Sequence, residues 1–187
     1  MKSVLFSINR PHTDNIKIYA KKSELRTRPP KIKEPYKAYI YETIKNGGCG
    51  KVIGEFTAFN EFTYRMCMGV PKHLVLSGCI SAEEIWAYTN NGEKDLTEIS
   101  ISDLVIYDEP RELSEFFKIG HSEYCKEKWQ KRKDLRIRLA EYNRIMGEKA
   151  HLNTNSEFEA NLKLLSPFKM KRPPQSWCYV ESEVQGE

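Results

Sequence analysis

"AKKSELRTRPPK" (residues 20–31) packs two lysines, one glutamate and two arginines into its first nine positions and then closes on two prolines. "SELRTR" alternates as a strand does, and Pro29-Pro30 must leave the sheet or lie at its edge. On a strand, positions 24, 26 and 28 share one face and Leu25 takes the other. With Leu25 toward the core, Glu24, Arg26 and Arg28 point outward or into a cleft, and Lys21 lies where the preceding element joins the strand. Two readings are open. One is an edge strand kept soluble by charge, with Glu24 paired to Arg26 or Arg28. The other is a site, in which the arginines grip a phosphate and the carboxylate fixes an arginine or accepts from a base amine. Taken locally, the charged edge is the simpler account.

Working outward, "VLFSI" (4–8) is an apolar strand, and Pro11 and Thr13 open a helix with Ile16 and Tyr19 on one face. "YKAYIYET" (36–43) and "GKVIGEFTAF" (50–59) are rich in aromatic and β-branched residues, and the "NGGCG" between them supplies turn chemistry, so they form a hairpin. "SAEEIWAYTNNG" (81–92) has Ser81 three residues before Glu84, the capping-box spacing, and stops at Asn-Asn-Gly as a short helix should. "EISISDLVIYDEP" (98–110) holds one or two strands closed by Pro110, and "RELSEFFKIG" (111–120) makes one or two helical turns stopped by Gly120. Residues 122–149 carry the longest helical pattern, with Trp129, Leu135, Leu139 and Tyr142 at compatible spacings, and a second short helix runs from 157 to 165. "RPPQSWCYVES" ends in a strand over 177–180. Short strands broken by short helices, without a βαβ period, give an α+β class. The expected core is a small mixed β-barrel or strongly curved sheet in one domain over 1–187, with 121–166 a helical insertion before the last strand.

Composition narrows the function. At 187 residues, with 40% hydrophobic and 30% charged, the chain can bury a real core and is globular rather than disordered. No apolar run approaches the roughly 20 residues of a membrane span, and the N-terminal apolar stretch is too short for a secretory signal, so a cytoplasmic setting without membrane contact is expected. Five cysteines without a CxxC pattern read as reduced thiols, and four scattered histidines give no ligand spacing, so neither metal nor cofactor is expected. "GVPKH" and "NGGCG" lack the Gly-Lys-Ser/Thr order of a phosphate loop. The net charge of +4 is concentrated: residues 126–138 carry seven basic side chains against Glu127 and Asp134, leaving the rest near neutral. A helix bearing Lys128, Lys131, Arg132 and Arg136 can follow a phosphate backbone, although a charge run by itself is more simply a solvated face.

The blocks "VLFSIN", Lys21-x-x-Glu24-x-Arg26-x-Arg28-Pro, "YIYET...GKVIGEF", "CIS.EE...Y", "ISDLVIYDEPRELSEF" and "RPPQSWCYVE", in that order, resemble an ASCH domain, a branch of the PUA-like superfamily found in small bacterial and phage-borne proteins. The resemblance covers residues 3–119 and 166–181. It implies a pseudo-barrel whose cleft binds RNA or a modified nucleotide. One branch of the family resembles an amidohydrolase of acetylated cytidine nucleosides that works with a lysine, a threonine three positions later and a separate glutamate; others have been linked to ribonuclease action. Lys21 matches that lysine and Arg26 an arginine later in the same strand, whereas Glu24 stands at the threonine position and Glu83 or Glu84 would have to supply the glutamate. The resemblance turns the opening stretch from a rim into a site of Lys21, Glu24, Arg26 and Arg28, with Gln175 and Ser176 as further ligand contacts. Trp177 either stacks on a base or anchors the last strand. An RNA- or nucleotide-binding protein is expected. The alternatives are a metal-independent hydrolase with Lys21 and Glu24 as its chemical residues, and a module that docks a protein partner through 121–166.

Overall fold

A computed structural model describes residues 3–32, 35–118, 170 and 172–182. The chain forms two compact units, Met1–Leu113 with Arg172–Val180 and Ser114–Lys171 with Glu181–Glu187. In chain order the elements are β1 (Ser3–Ile8), α1 (Arg10–Lys17), β2 (Ser23–Arg26), β3 (Tyr36–Glu42), β4 (Val52–Tyr64), α2 (Lys72–Gly78), α3 (Ala82–Tyr88), β5 (Leu96–Arg111), β6 (Phe116–Lys118) and β7 (Trp177–Ser182). In the first unit six strands follow the order β2-β5-β4-β3-β1-β7. β1 runs parallel to β3, and the remaining pairs are antiparallel.

β1 lies between β3 and β7 and is covered on both faces: Val4, Leu5 and Phe6 are all fully buried. That is why its sequence is an unbroken apolar run rather than an alternation. Phe6 stacks on Phe56 of β4 with 6.1 Å between ring centroids, and Ile16 of α1 and Ile40 of β3 are also fully buried. The long strands β4 and β5 are bent. Their pairing slips between Val52 and Gly54, Glu55 and Thr57, and Phe59 and Phe62, and Asn60 and Asp103 take φ of 48° and 47°. Such irregularities bend a strand and increase its twist. The sheet therefore curls into a half-barrel that brings β2 round toward β1 and β7. A second cluster, Leu25, Met66, Leu74, Ile85 and Leu96, seats α2 and α3 against β2 and β5.

Several elements differ from the sequence reading. β5 is one strand that continues through Pro110, which the ladder tolerates because pairing is interrupted between Ile106 and Arg111. After a 3-10 turn at Leu113–Glu115, residues 116–118 are extended rather than helical, as an aromatic pair favours. Tyr19 is not on the face of α1. Ala20 and Lys21 both donate backbone N–H to Asn15 O, which ends the helix and leaves Tyr19 exposed at φ 60°. The expectation had no element over 65–80, where a 3-10 turn at Met66–Met68 and α2 are found. The helices expected within 122–149 and 157–165 lie outside the described residues.

One buried carboxylate holds α1 to the hairpin. Glu42, 3% exposed, accepts from Thr13 Oγ1 at 2.7 Å, Lys17 Nζ at 2.8 Å and the Cys49 backbone N at 2.8 Å. Burial pushes this carboxyl up, but the bonds from Lys17, Thr13 and Cys49 outweigh it and hold the pKa at about 2. A depressed folded-state pKa gives stability that is complete above about pH 4.5 and is lost as the pH falls toward 2, on the order of 3 kcal/mol in all. Urea unfolding midpoints measured from pH 7 to pH 2 should therefore fall steeply below pH 4.5 in the wild type. Glu42→Gln should be less stable at pH 7 and show a flatter acid limb.

Candidate functional site

Alternation along β2 sends Leu25 into the cluster under α2 and α3, and Glu24 and Arg26 to the other face. These charges are not solvated. Lys21 is 4% exposed, and Glu24 and Arg26 are each 6% exposed. Glu24 serves both cations, with Oε1 2.8 Å from Arg26 Nη2 and Oε2 3.6 Å from Lys21 Nζ. Lys21 also donates from Nζ to Gly78 O at 2.8 Å, at the last residue of α2. Glycine is required there because a Cβ would come within 2.7 Å of Leu25 Cδ1, so α2 can close onto β2 and present its final carbonyl to the lysine. Two buried cations and one carboxylate leave this spot with a net positive charge. β2 does end the sheet order on its side, as the edge reading had it, but its charges turn inward, one of the ways an edge strand is shielded.

Arg26 does more than neutralise Glu24. Its Nη1 donates to Ser176 Oγ at 2.9 Å and to Ser176 O at 3.4 Å, and its Nη2 donates to Ser7 O at 3.0 Å. The guanidinium lies 5.0 Å from the centroid of the Phe6 ring. Arg26 thus joins β2 to β1 and to the residues just ahead of β7, elements that do not pair with β2 through their backbones. Two more bonds support this seam: Trp177 Nε1 donates to Arg28 O at 2.6 Å, and Ser7 Oγ donates to Pro174 O at 2.7 Å. Trp177 also packs edge-on against Tyr179 at 5.1 Å, so it anchors the strand as well as edging the cleft.

An open cleft of about 1060 Å³ follows the seam. His12, Lys21, Glu24 and Arg26 contribute to its floor, Ile80, Ile85, Tyr88 and Trp177 to its walls, and Arg28, Lys45, Lys94 and Gln175 to its mouth. The last four are exposed. Lys21, Glu24, Arg26, Arg28, Gln175 and Ser176 therefore all line one cleft, in different roles. Both terminal nitrogens of Arg26 are engaged within the protein, Ser176 is their acceptor, and Arg28 offers an exposed guanidinium. The alternatives for the separate glutamate fare differently. Glu84 is spent on its capping box with Ser81, accepting from Ser81 N at 3.0 Å, and Glu83 is exposed and does not line the cleft. Tyr41 and Glu55 lie off the cleft, and Glu55 accepts from Lys37 Nζ and Tyr107 Oη at 2.6 Å each. Burial, reinforced by Glu42, pushes the Cys49 thiol up, which disfavours a reactive thiolate. Among the described residues no three metal-ligating side chains converge. Lys128, Lys131, Arg132 and Arg136 lie outside the described residues.

Sequence reasoning missed His12, Lys45, Lys94 and Tyr88. His12 had a signal: it is four residues before the fully buried Ile16, and so shares the inward face of α1. Its Nδ1 is buried without a protein partner. Burial lowers its pKa, the Lys21 charge lowers it further, and Glu24 and Glu84 only partly oppose them, so the ring is neutral at pH 7.

Breaking a buried ion pair by removing one partner costs roughly 3–5 kcal/mol, because the other charge is left uncompensated. Glu24→Gln is expected to lower stability by about that amount. Arg26→Lys, which keeps the charge but not the fork, should also destabilise the fold markedly. Arg28→Ala should stay within about 0.5 kcal/mol of wild type, since only the Arg28 backbone is used in the seam. Chemical denaturation of the three variants checks the order; an Arg26→Lys protein as stable as wild type would contradict the seam role.

No protein-family model matches the sequence, and no curated protein matches it closely. Solved structures do match the fold. The crystal structure of ASCH from Zymomonas mobilis superposes with a TM-score of 0.52 at 19% identity, covering 60% of this chain and 74% of that one. Two single-substitution mutants of the same protein agree with it. The tyrosine-to-phenylalanine form gives a TM-score of 0.50 at 18% identity over 60% of this chain and 77% of its own. The serine-to-alanine form gives 0.50 at 18% identity over 60% and 75%. The curled mixed sheet with its short helices is thus the ASCH, PUA-like α+β fold.

Proposed function

We propose that this chain binds RNA or a nucleotide in the seam cleft. The observation that carries the reading is the combination of a buried, net-positive floor with apolar and aromatic walls and a mouth of exposed cations. A planar base fits against Tyr88, Ile80 and Ile85, and phosphates suit Arg28, Lys45 and Lys94. The ASCH fold supports the same direction, since the resemblance implies an RNA-binding cleft. The chain is then one ASCH-type domain over 1–187 with residues 121–166 inserted. The basic run of Lys128, Lys131, Arg132 and Arg136 extends the contact along the backbone. Among the described residues no helix is long and apolar enough to cross a membrane.

The hydrolase alternative has less behind it. Both oxygens of Glu24 face cations of the protein, which leaves neither turned toward a substrate. Docking of a protein partner through 121–166 rests on residues that are not described.

Binding of labelled single-stranded RNA, duplex RNA and single-stranded DNA across a salt series tests the reading, with product analysis on the same samples. Arg28→Ala and Lys94→Ala should each weaken RNA binding and reduce the slope of log affinity against log salt by about one, as loss of one phosphate contact does. Unchanged affinity in both variants, or no binding of any of the three probes, would contradict it. Product formation that depends on Lys21 would move the protein to the hydrolases.

A further inference from the structure

The floor of the cleft carries a charge imbalance that the protein leaves open. Lys21 and Arg26 are buried cations sharing the single carboxylate of Glu24. His12 stands beside them on α1, and its Nδ1 is buried with no partner in the protein. The charged groups whose fields it feels are Lys21 at the α1–β2 junction, Glu24 and Arg26 on β2, and Glu84 on α3. An unpaired buried polar atom and an uncompensated buried charge are each costly. One ligand group cancels both: an anionic oxygen, which supplies the missing negative charge and favours a proton on the ring.

On the strength of the binding reading above, we propose that His12 is a ligand-contacting residue that takes up a proton when a phosphate group of the bound nucleic acid enters the floor of the cleft. The base lies against the wall of Tyr88, Ile80 and Ile85, and the phosphate, not the base edge, reaches Lys21. The free ring is neutral at pH 7, because burial and Lys21 oppose its charge. Once the phosphate is in place, its charge opposes that of Lys21 and favours the imidazolium. The direction of the pH dependence follows. The complex binds one proton more than the free components, so affinity rises as the pH falls through the window below the bound-state pKa, and levels off below the free-state value.

The test uses the full chain and a short single-stranded RNA with hydroxyl groups at both ends, whose phosphodiester charges stay constant in this range. NMR titration of His12, assigned through the backbone of the wild-type protein, is made with and without saturating RNA. Binding affinity is measured at pH 7.5 and 5.5 for wild type and His12→Gln. The ring should titrate at least one unit higher in the complex, and the wild-type gain in affinity at pH 5.5 should exceed that of His12→Gln by about tenfold, the factor that one unit represents. An unmoved His12 titration at saturation would overturn the proposal, as would equal pH dependence in the two proteins, while leaving RNA binding itself intact. RNA that bound neither protein at either pH would instead bring down the binding reading and the proposal with it.

Discussion

The guanidinium of Arg26 closes a sheet that its backbone hydrogen bonds leave open. The curl of β4 and β5 brings β2 toward β1 and β7, but β2 pairs only with β5. Arg26 spans the gap by donating to Ser7 O and to Ser176, while its ring-facing side rests on Phe6. A planar fork with several fixed donors is suited to this, and an ammonium is not. The cost is a buried cation, which Glu24 offsets, and Glu24 in turn has Lys21 on its second oxygen. The whole polar floor therefore follows from the geometric need to close the seam.

The same arrangement explains why the cleft lies where it does. Side chains rather than a ladder join β2 to β1 and β7, so the surfaces on either side of the join do not meet closely. The space between is walled by α3 and the segment before β7, and its mouth includes the Thr43–Lys45 loop. The floor is rigid because each of its charges has a partner in a different element: Lys21 on α2 through Gly78 O, Arg26 on β1 through Ser7 O, and Glu24 on both cations. Such a site can receive a ligand without first being assembled.

Much of this was legible in the sequence. Period-two alternation placed Leu25 inward and Glu24 with Arg26 on the other face. The capping box at Ser81 and the apolar run of β1 marked their elements directly, and the order of blocks pointed to the ASCH fold. What could not be read was tertiary. Nothing local says that Arg26 spends its fork on Ser7 and Ser176, so its neighbours looked like equals, when Arg28 alone keeps an exposed guanidinium. Lys45 and Lys94 lie in loops whose approach to the cleft depends on the curl of the sheet. α2 went unseen because Lys72–Gly78 is a short helix with no side-chain cap, whose end is fixed by Gly78 packing on Leu25. Residues 116–118 misled because one Phe-Phe pair fits a helical turn and a strand equally well until its burial is known.

The central claim, that ligand occupies the seam cleft, is tested most directly by photocrosslinking. Single-stranded RNA carrying 4-thiouridine would be irradiated on the protein and the crosslinked peptides mapped by mass spectrometry. The account predicts crosslinks at Tyr88, Trp177 and Lys94, competed away by unlabelled RNA. Crosslinks confined to residues off the cleft, such as Phe62 or Tyr107, would contradict it.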